Sequence, residues 1–125
     1  MINISHSGNF DNITRFLEKM SKRDAMSILH KYGKKGIELL RESTPMDTGE
    51  TANSWGYEVV NENGRYRIYW TNDNVHDGVY IAIILQYGHA TKNGGYVEGI
   101  DYINPALEEV FNEMAEELWK EVVNA

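Results

Sequence analysis

The side chains in this sequence best suited to chemistry are two histidines and two aspartates in its second half. His76 is followed directly by Asp77, Asp73 lies three residues earlier, and His89 comes thirteen residues later. Two imidazoles and two carboxylates are donors that a divalent metal ion accepts. The group raises the hypothesis of a small metal-dependent hydrolase. Its spacing follows no established ligand pattern, however, and ordinary turn chemistry explains Asp73, His76 and Asp77 equally well.

The sequence has none of the common catalytic signatures. It contains no Gly-rich phosphate loop with its lysine, no HExxH and no GxSxG, and Ser43 and Ser54 have no recognisable base beside them. Eight tyrosines and three tryptophans suggest base stacking, but they lack the interleaved basic residues that nucleic acid binding needs. We therefore expect no enzyme activity and no cofactor, and binding to protein is the favoured class of function.

Length and composition predict one domain that spans residues 1–125. The chain has 42% hydrophobic residues, which is enough for a single core. It has no cysteine, so disulfide frameworks and thiol chemistry are excluded. The start, MINISHSGNF, lacks the features of a signal peptide, and no segment approaches roughly 20 apolar residues. We expect assembly in the cytoplasm and no contact with a membrane.

Two helices are predicted in the N-terminal part, residues 9–43. The first extends over residues 10–20, where Ile13, Phe16, Leu17 and Met20 recur at helical spacing. The second begins at Ser21, with Asp24 completing a capping box, and continues to about Ser43. Glycines at 33 and 36 each weaken a helix by roughly 1 kcal/mol, so this helix either bends near GKKG or gains close packing there.

The hydrophobic period then changes to two, which predicts an antiparallel sheet over residues 53–88. Asn63-Gly64 is a strong signal for a two-residue hairpin turn. Counting outward from this turn pairs Glu62 with Arg65, Val59 with Ile68, and Tyr57 with Trp70. The run VYIAIILQYG at residues 79–88 is apolar in nearly every position, as in a strand covered on both faces. It is predicted to complete a sheet of about three to four strands.

The rest of the chain is predicted as two loops and a helix. Residues 71–78 form a polar loop, and residues 89–103 form a long exposed loop of the kind that usually has a function. A C-terminal helix covers residues 104–124, with Asn104 as its cap and Pro105 in its first turn. The predicted fold class is α+β, an antiparallel sheet packed against an N-terminal helical pair and a long C-terminal helix.

Four short motifs occur in order along this predicted fold. The stretch TPMDTGETANSW connects the helical part to the sheet, and an aromatic hairpin follows it. Gln86, Tyr87 and Gly88 end the apolar run, and Pro105, Ala106 and Leu107 open the last helix. In this order the motifs resemble the small neck or tail-completion proteins of long-tailed bacteriophages. The similarity extends from about residue 25 to the C-terminus.

The resemblance implies a structural virion protein at the head-to-tail junction, assembled in the host cytoplasm. It implies a ring, with six copies expected, that contacts a head-closure or connector protein on one side and a tail terminator or tail-tube protein on the other. Genomic DNA would pass through the lumen without being bound. The turn and the strand end supply the implied assembly-interface residues: Thr44, Pro45, Asp47, Thr48, Gly49, Asn53, Gln86, Tyr87, Gly88 and His89. A non-viral cytoplasmic adaptor remains the alternative outside enzymes.

Charge is unevenly distributed along the chain. Residues 1–43 contain eight of the twelve basic residues and five of the nineteen acidic ones, although the whole chain carries −7. Such a difference often reflects only solvated helix faces. In a head-to-tail ring it would instead bring the basic part of one copy, with Lys34 and Lys35, to the acidic helix of the next, with Glu113 and Glu117. Other carboxylates would line the lumen and repel DNA phosphates.

Overall fold

The computed structural model describes residues 2–4, 10–45 and 49–123. Within these ranges the mixed α+β fold is confirmed, and none of the helices is long and apolar enough to cross a membrane. A short 3₁₀ turn at Ala52–Ser54 precedes β2. The other elements are β1 (Ile2–Ile4), α1 (Phe10–Glu18), α2 (Lys22–Ser43), β2 (Trp55–Glu62), β3 (Arg65–Asn72), β4 (Val75–His76), β5 (Val79–Tyr80), α3 (Ile81–Tyr87), β6 (Gly88–Ala90), β7 (Tyr96–Glu98) and α4 (Ile103–Val123).

The predicted start of the second helix is confirmed by its cap. The backbone N–H of Asp24 donates a hydrogen bond of 3.1 Å to the side-chain oxygen of Ser21. At the other end, the backbone N–H of Thr44 donates to the carbonyl of Leu40. Between these caps α2 continues without a break through both glycines. The predicted weak point at GKKG is therefore compensated by packing.

Close approach of the sheet explains why α2 contains glycine at two neighbouring positions of one face. An ideal Cβ on Gly33 would lie 2.3 Å from a ring carbon of Tyr57, and one on Gly36 would lie 2.2 Å from Nε1 of Trp70. The indole N–H of Trp70 also donates a hydrogen bond of 3.0 Å to the carbonyl of Gly33. Two aromatic rings of the sheet thus lie directly against the backbone of the helix.

The predicted register of the hairpin is confirmed at every pair. Glu62 lies opposite Arg65, Val59 opposite Ile68 and Tyr57 opposite Trp70 in the antiparallel pairing of β2 with β3. Asn63 and Gly64 have φ angles of 52° and 85°, the left-handed conformation that this type of turn requires. Alternate side chains of β3 therefore point into the core, and the others face outward.

The prediction of a strand at residues 79–88 is wrong. Most of this run is the helix α3, and the third strand of the sheet is instead β1, which gives the order β1-β3-β2. A continuous apolar run does not distinguish a buried strand from a short buried helix, because both lack a polar period. The fully buried side chains of α3, Ala82 and Gln86, are four residues apart, as one helix face requires.

Two further expectations about loops are corrected. The segment predicted as a polar loop at 71–78 contains the end of β3 and the strand β4, which pairs with β5. The segment predicted as a long exposed loop at 89–103 contains a second small hairpin, in which β6 pairs with β7. These strands have only two or three residues and polar tips, so their alternation was too short to be visible in the sequence.

The last helix begins at Ile103, so the prediction that Asn104 is its cap is wrong. The backbone N–H groups of Tyr102 and Ile103 both donate 3.0 Å hydrogen bonds to the side-chain oxygen of Gln86 in α3. The cap is supplied by a residue from another helix, which no local pattern could indicate. Downstream, Phe111 packs edge to face with Trp70, with ring centroids 5.8 Å apart. The apolar face of α4 thereby joins the same core as α2 and the sheet.

Gly36→Ala is expected to destabilise the protein, because the added methyl group would collide with the ring of Trp70. Overlap of this kind usually costs about 1–3 kcal/mol, which exceeds the gain of about 1 kcal/mol in helix propensity. Urea unfolding measures the difference from wild type. Ser27→Ala, at an exposed position of α2, is the control and should change the free energy of unfolding by under about 0.5 kcal/mol. A Gly36→Ala variant as stable as wild type would contradict the close packing.

Candidate interaction surface

The turn after α2 was predicted to supply interface residues, and its first residue, Thr44, has a structural role. Thr44 is buried; its hydroxyl donates to the carbonyl of Leu40 and accepts a 2.9 Å hydrogen bond from the indole of Trp55. Pro45 is half-buried and Gly49 is buried with a φ of 80°. Thr44 therefore ties the end of the helix to the start of β2.

The other turn residues are divided between the surface and the part of the chain outside the described ranges. Asn53 is exposed, and its backbone N–H donates a hydrogen bond of 3.0 Å to the carbonyl of Gly49. Asp47 and Thr48 lie outside the described residues. Of the predicted interface residues in this turn, Asn53 is thus the one with an exposed side chain in the described part.

A buried amide network holds this turn against the sheet, and sequence reasoning missed it. The side-chain amide of Asn72 donates to the carbonyl of Thr51 at 2.9 Å, and that of Asn74 donates to the hydroxyl of Thr51 at 2.6 Å. The backbone N–H of Asn74 donates in turn to the side-chain oxygen of Asn72 at 3.1 Å. Buried polar groups need such partners. The only available signal was a pair of asparagines, Asn72 at the end of β3 and Asn74 two residues later.

The proposed metal ligands do not converge. The described residues contain no group of three or more His, Cys, Asp or Glu side chains close enough to hold a metal ion. All four proposed ligands are among the described residues: Asp73, His76, Asp77 and His89. His76 instead lies 3.3 Å from a carboxylate oxygen of Glu50, beside the turn. Nδ1 of His89 is buried and finds no hydrogen-bond partner in the described part of the chain. The hydrolase hypothesis therefore has no ligand set there.

Gln86 connects three segments through its buried side chain. Its oxygen accepts from the first backbone N–H groups at α4, and its nitrogen donates a hydrogen bond of 2.6 Å to Asp101. Gln86 was predicted as an interface residue, but its burial gives it a role in positioning α4. Its neighbour Tyr87, also predicted at the interface, is 67% exposed.

Large exposed apolar side chains are concentrated on one segment. Seven such residues occur in the described part of the chain, and six of them belong to residues 75–100; the seventh is Trp119 on α4. We call the six the 75–100 surface: Val75, Val79, Tyr87, Tyr96, Val97 and Ile100. Residues 75–100 bury few apolar side chains. This segment therefore adds more exposed apolar surface than it adds to the core.

The hairpin part of this surface is held tightly against the end of α3. The hydroxyl of Tyr96 donates a hydrogen bond of 2.9 Å to the carbonyl of Tyr87, and the N–H of Ile100 donates to that of Leu85 at 2.9 Å. A Cβ on Gly99 would lie 2.4 Å from the carbonyl of Gln86, so only glycine allows this approach. Exposed side chains on a fixed backbone lose little conformational entropy when they bind.

The lysines and glutamates predicted to meet between copies lie together in one chain. Lys34 and Lys35 line a groove of about 640 Å³ between α2 and α4, whose other side includes Glu113 and Glu117. Within this groove Lys31 forms an ion pair of 2.9 Å with Glu117. The charges that the sequence separates by some 80 residues therefore face each other after folding.

In this groove the hydroxyl of Tyr32 donates a hydrogen bond to the carboxylate of Glu117, and this bond shifts the pKa of both groups. Burial would raise the pKa of Glu117, but the hydrogen bonds from Tyr32 and Lys31 and the nearby lysine charges outweigh it, so the pKa is lowered. The pKa of Tyr32 is raised by burial and by its hydrogen bond to Glu117. The protein thus favours an ionised Glu117 beside a neutral Tyr32.

No family model, curated protein or solved structure matches this chain.

Gln86→Leu is expected to lower the free energy of unfolding by about 2–4 kcal/mol, because two buried N–H groups at the start of α4 lose their acceptor. Chemical denaturation measures this loss. Tyr87→Ser, one residue away but exposed, is the matched control and should stay within about 0.5 kcal/mol of wild type. Equal stability of Gln86→Leu and wild type would show that the cap does not contribute.

The lowered pKa of Glu117 predicts an acid dependence of stability. A carboxylate with a lowered pKa in the folded state stabilises the fold above its ordinary value, here 4.5, and this contribution is lost as the pH falls through the folded pKa. Between pH 7 and pH 3, the free energy of unfolding of Glu117→Gln should fall by about 1 kcal/mol less than that of wild type. Unfolding measured from pH 7 to pH 3 tests this, with Glu108→Gln on the exposed side of α4 as control. Parallel curves for Glu117→Gln and wild type would contradict it.

Proposed function

We propose that this protein is a structural component of the head-to-tail junction of a long-tailed bacteriophage, where copies join in a ring between the head-closure protein and the tail tube. The observation that carries the proposal is the 75–100 surface, which concentrates exposed apolar side chains on one segment whose second hairpin is hydrogen-bonded to the end of α3. Apolar patches of this kind on a small protein are typical of contact sites. The choice of the phage head-to-tail junction comes from the resemblance of the four ordered sequence motifs to those of phage neck proteins.

Two features support assembly into a ring through which DNA passes. Tyrosine is among the residues enriched where proteins bind one another, and two exposed tyrosines occur here, Tyr87 at the end of α3 and Tyr96 on β7. The hydroxyl of Tyr96 is hydrogen-bonded to the backbone carbonyl of Tyr87. A ring requires each copy to use two different surfaces, one for each neighbour. The net charge of −7 suits a channel through which DNA passes without binding.

The first experiment is the molar mass of the purified protein by light scattering over a series of concentrations. It is repeated with the head-closure protein and with the tail terminator or tail-tube protein of the same phage. We expect a ring, formed either alone or upon addition of one of these partners. A protein that stays monomeric with every partner would contradict the proposal.

Substitution within the 75–100 surface should weaken assembly without unfolding the chain. Tyr87→Ser and Ile100→Ser, both at exposed positions, should each weaken association by about tenfold or more, which is the loss typical of a contact residue at an interface centre. Val60→Ser, on the outward face of β2 and away from this segment, is the control and should assemble as wild type does. Thermal unfolding confirms that all three variants fold. Unchanged assembly of both surface variants would exclude this surface.

A further inference from the structure

Two exposed faces of opposite charge have almost no ion pairs within the described part of the chain. The basic face lies where α1 ends and α2 begins, and we call it the basic corner: Arg15, Lys19, Lys22 and Arg23. All four side chains are exposed. None of them forms an ion pair with any residue in the described ranges. These four cations fall within nine residues; Glu18 lies among them, and the exposed Asp24 directly follows Arg23.

The acidic face is the outer side of α4, formed by Glu108, Glu109, Glu116 and Trp119. All four are exposed, and Trp119 is 59% exposed despite its size. Glu108 and Trp119 are eleven residues apart, close to three full helical turns, so they lie on the same side of the helix about 16 Å apart. Within the described residues, Glu116 has a single long contact of 3.9 Å to Lys120, and neither of the other glutamates has an ion pair.

These faces differ from the charged groove in a way that matters for assembly. In the groove, lysines and glutamates of one chain already face each other, and Lys31 is paired with Glu117. A neighbouring copy would gain little there. Within the described part of the chain, the four cations of the basic corner and the carboxylates of Glu108 and Glu109 have no ion pair, so their charges are available to another molecule. Glu116 lies where the acidic face meets the groove and, among the described residues, has only its long contact to Lys120.

We propose that the acidic face of α4 in one copy binds the basic corner of α1 and α2 in the next copy. This inference rests on the proposed function, because a ring needs a contact between two different surfaces that repeats from copy to copy. Opposite charges across such a contact select the partner surface and set its orientation. Trp119 supplies apolar area among the carboxylates, and its ring offers a face on which an arginine of the corner stacks.

A second copy is the occupant that the charges favour. The two faces lie on the same chain, have opposite sign and similar numbers of charges, and are therefore always present at equal concentration. Nucleic acid would suit the corner, but it would leave the acidic face unexplained and would be repelled by it. A head-to-tail contact between copies uses both faces at once.

Two double variants test the contact. In the first, Lys22→Glu with Arg23→Glu makes the corner acidic; in the second, Glu108→Lys with Glu109→Lys makes the face of α4 basic. Each variant then carries like charges on both faces, and each should self-associate about tenfold more weakly or worse than wild type. An equimolar mixture should regain wild-type association within about threefold, because every contact in an alternating ring again joins opposite charges.

The mixture separates a contact between copies from damage within one copy, since mixing cannot repair a misfolded chain. Lys34→Glu with Lys35→Glu makes the same change of charge on the same helix and should leave association within about twofold of wild type. Trp119→Ala should weaken association but leave the effect of salt concentration on association nearly unchanged. In each charge variant, association should depend less on salt concentration than in wild type. Light scattering in a salt series, together with thermal unfolding of every variant, measures these effects.

The outcomes distinguish this inference from the proposed function. A wild-type ring that tolerates both charge reversals, or reversals that the mixture does not rescue, would overturn the inference and leave the ring intact. Rescue by mixing in a protein that binds no head or tail component would support the contact and overturn the phage assignment. A wild-type chain that forms no assembly alone or with partners would overturn both.

Discussion

The fold depends on one close contact, the packing of Trp70 against the backbone of α2. The indole is fully buried, donates its N–H to the carbonyl of Gly33 and occupies the space that a side chain at Gly36 would fill. On its other side it meets Phe111 of α4. A single side chain of the sheet thus sets the distance between the sheet and two helices, and close-packed interiors allow little adjustment of such distances.

A second constraint positions the outer segment relative to this core. Gln86 supplies an acceptor for the first N–H groups at α4, so the start of this long helix is joined to the short helix α3 through a buried side-chain amide. This arrangement lets residues 75–100 remain largely outside the core while keeping a defined position. Different residues therefore stabilise the fold and provide the exposed apolar surface, even where they are neighbours: Gln86 is buried and stabilises the fold, whereas Tyr87 is exposed.

Short sequence patterns predicted the structure correctly where the geometry of a few neighbouring residues determines it. The Asn63-Gly64 turn and the alternation beside it were sufficient for the whole register of β2 with β3, because a two-residue turn leaves one alignment. The N-cap predicted at Ser21 was equally reliable. Both signals act within a few residues. The run at 79–88 lacked such a local signal, and its apolar residues fitted a strand as well as the helix that forms.

The sequence by itself determined the class of fold, the hairpin and its register, both long helices to within a few residues, and the apolar face of each. These features follow from local hydrogen bonding and from the periods of helix and strand. Only the tertiary structure decided which element completes the sheet, that Gln86 caps α4, and that Lys34 and Lys35 lie opposite Glu113 and Glu117. Those outcomes depend on residues far apart in the chain that meet only when the core closes, and sequence spacing does not encode such distances.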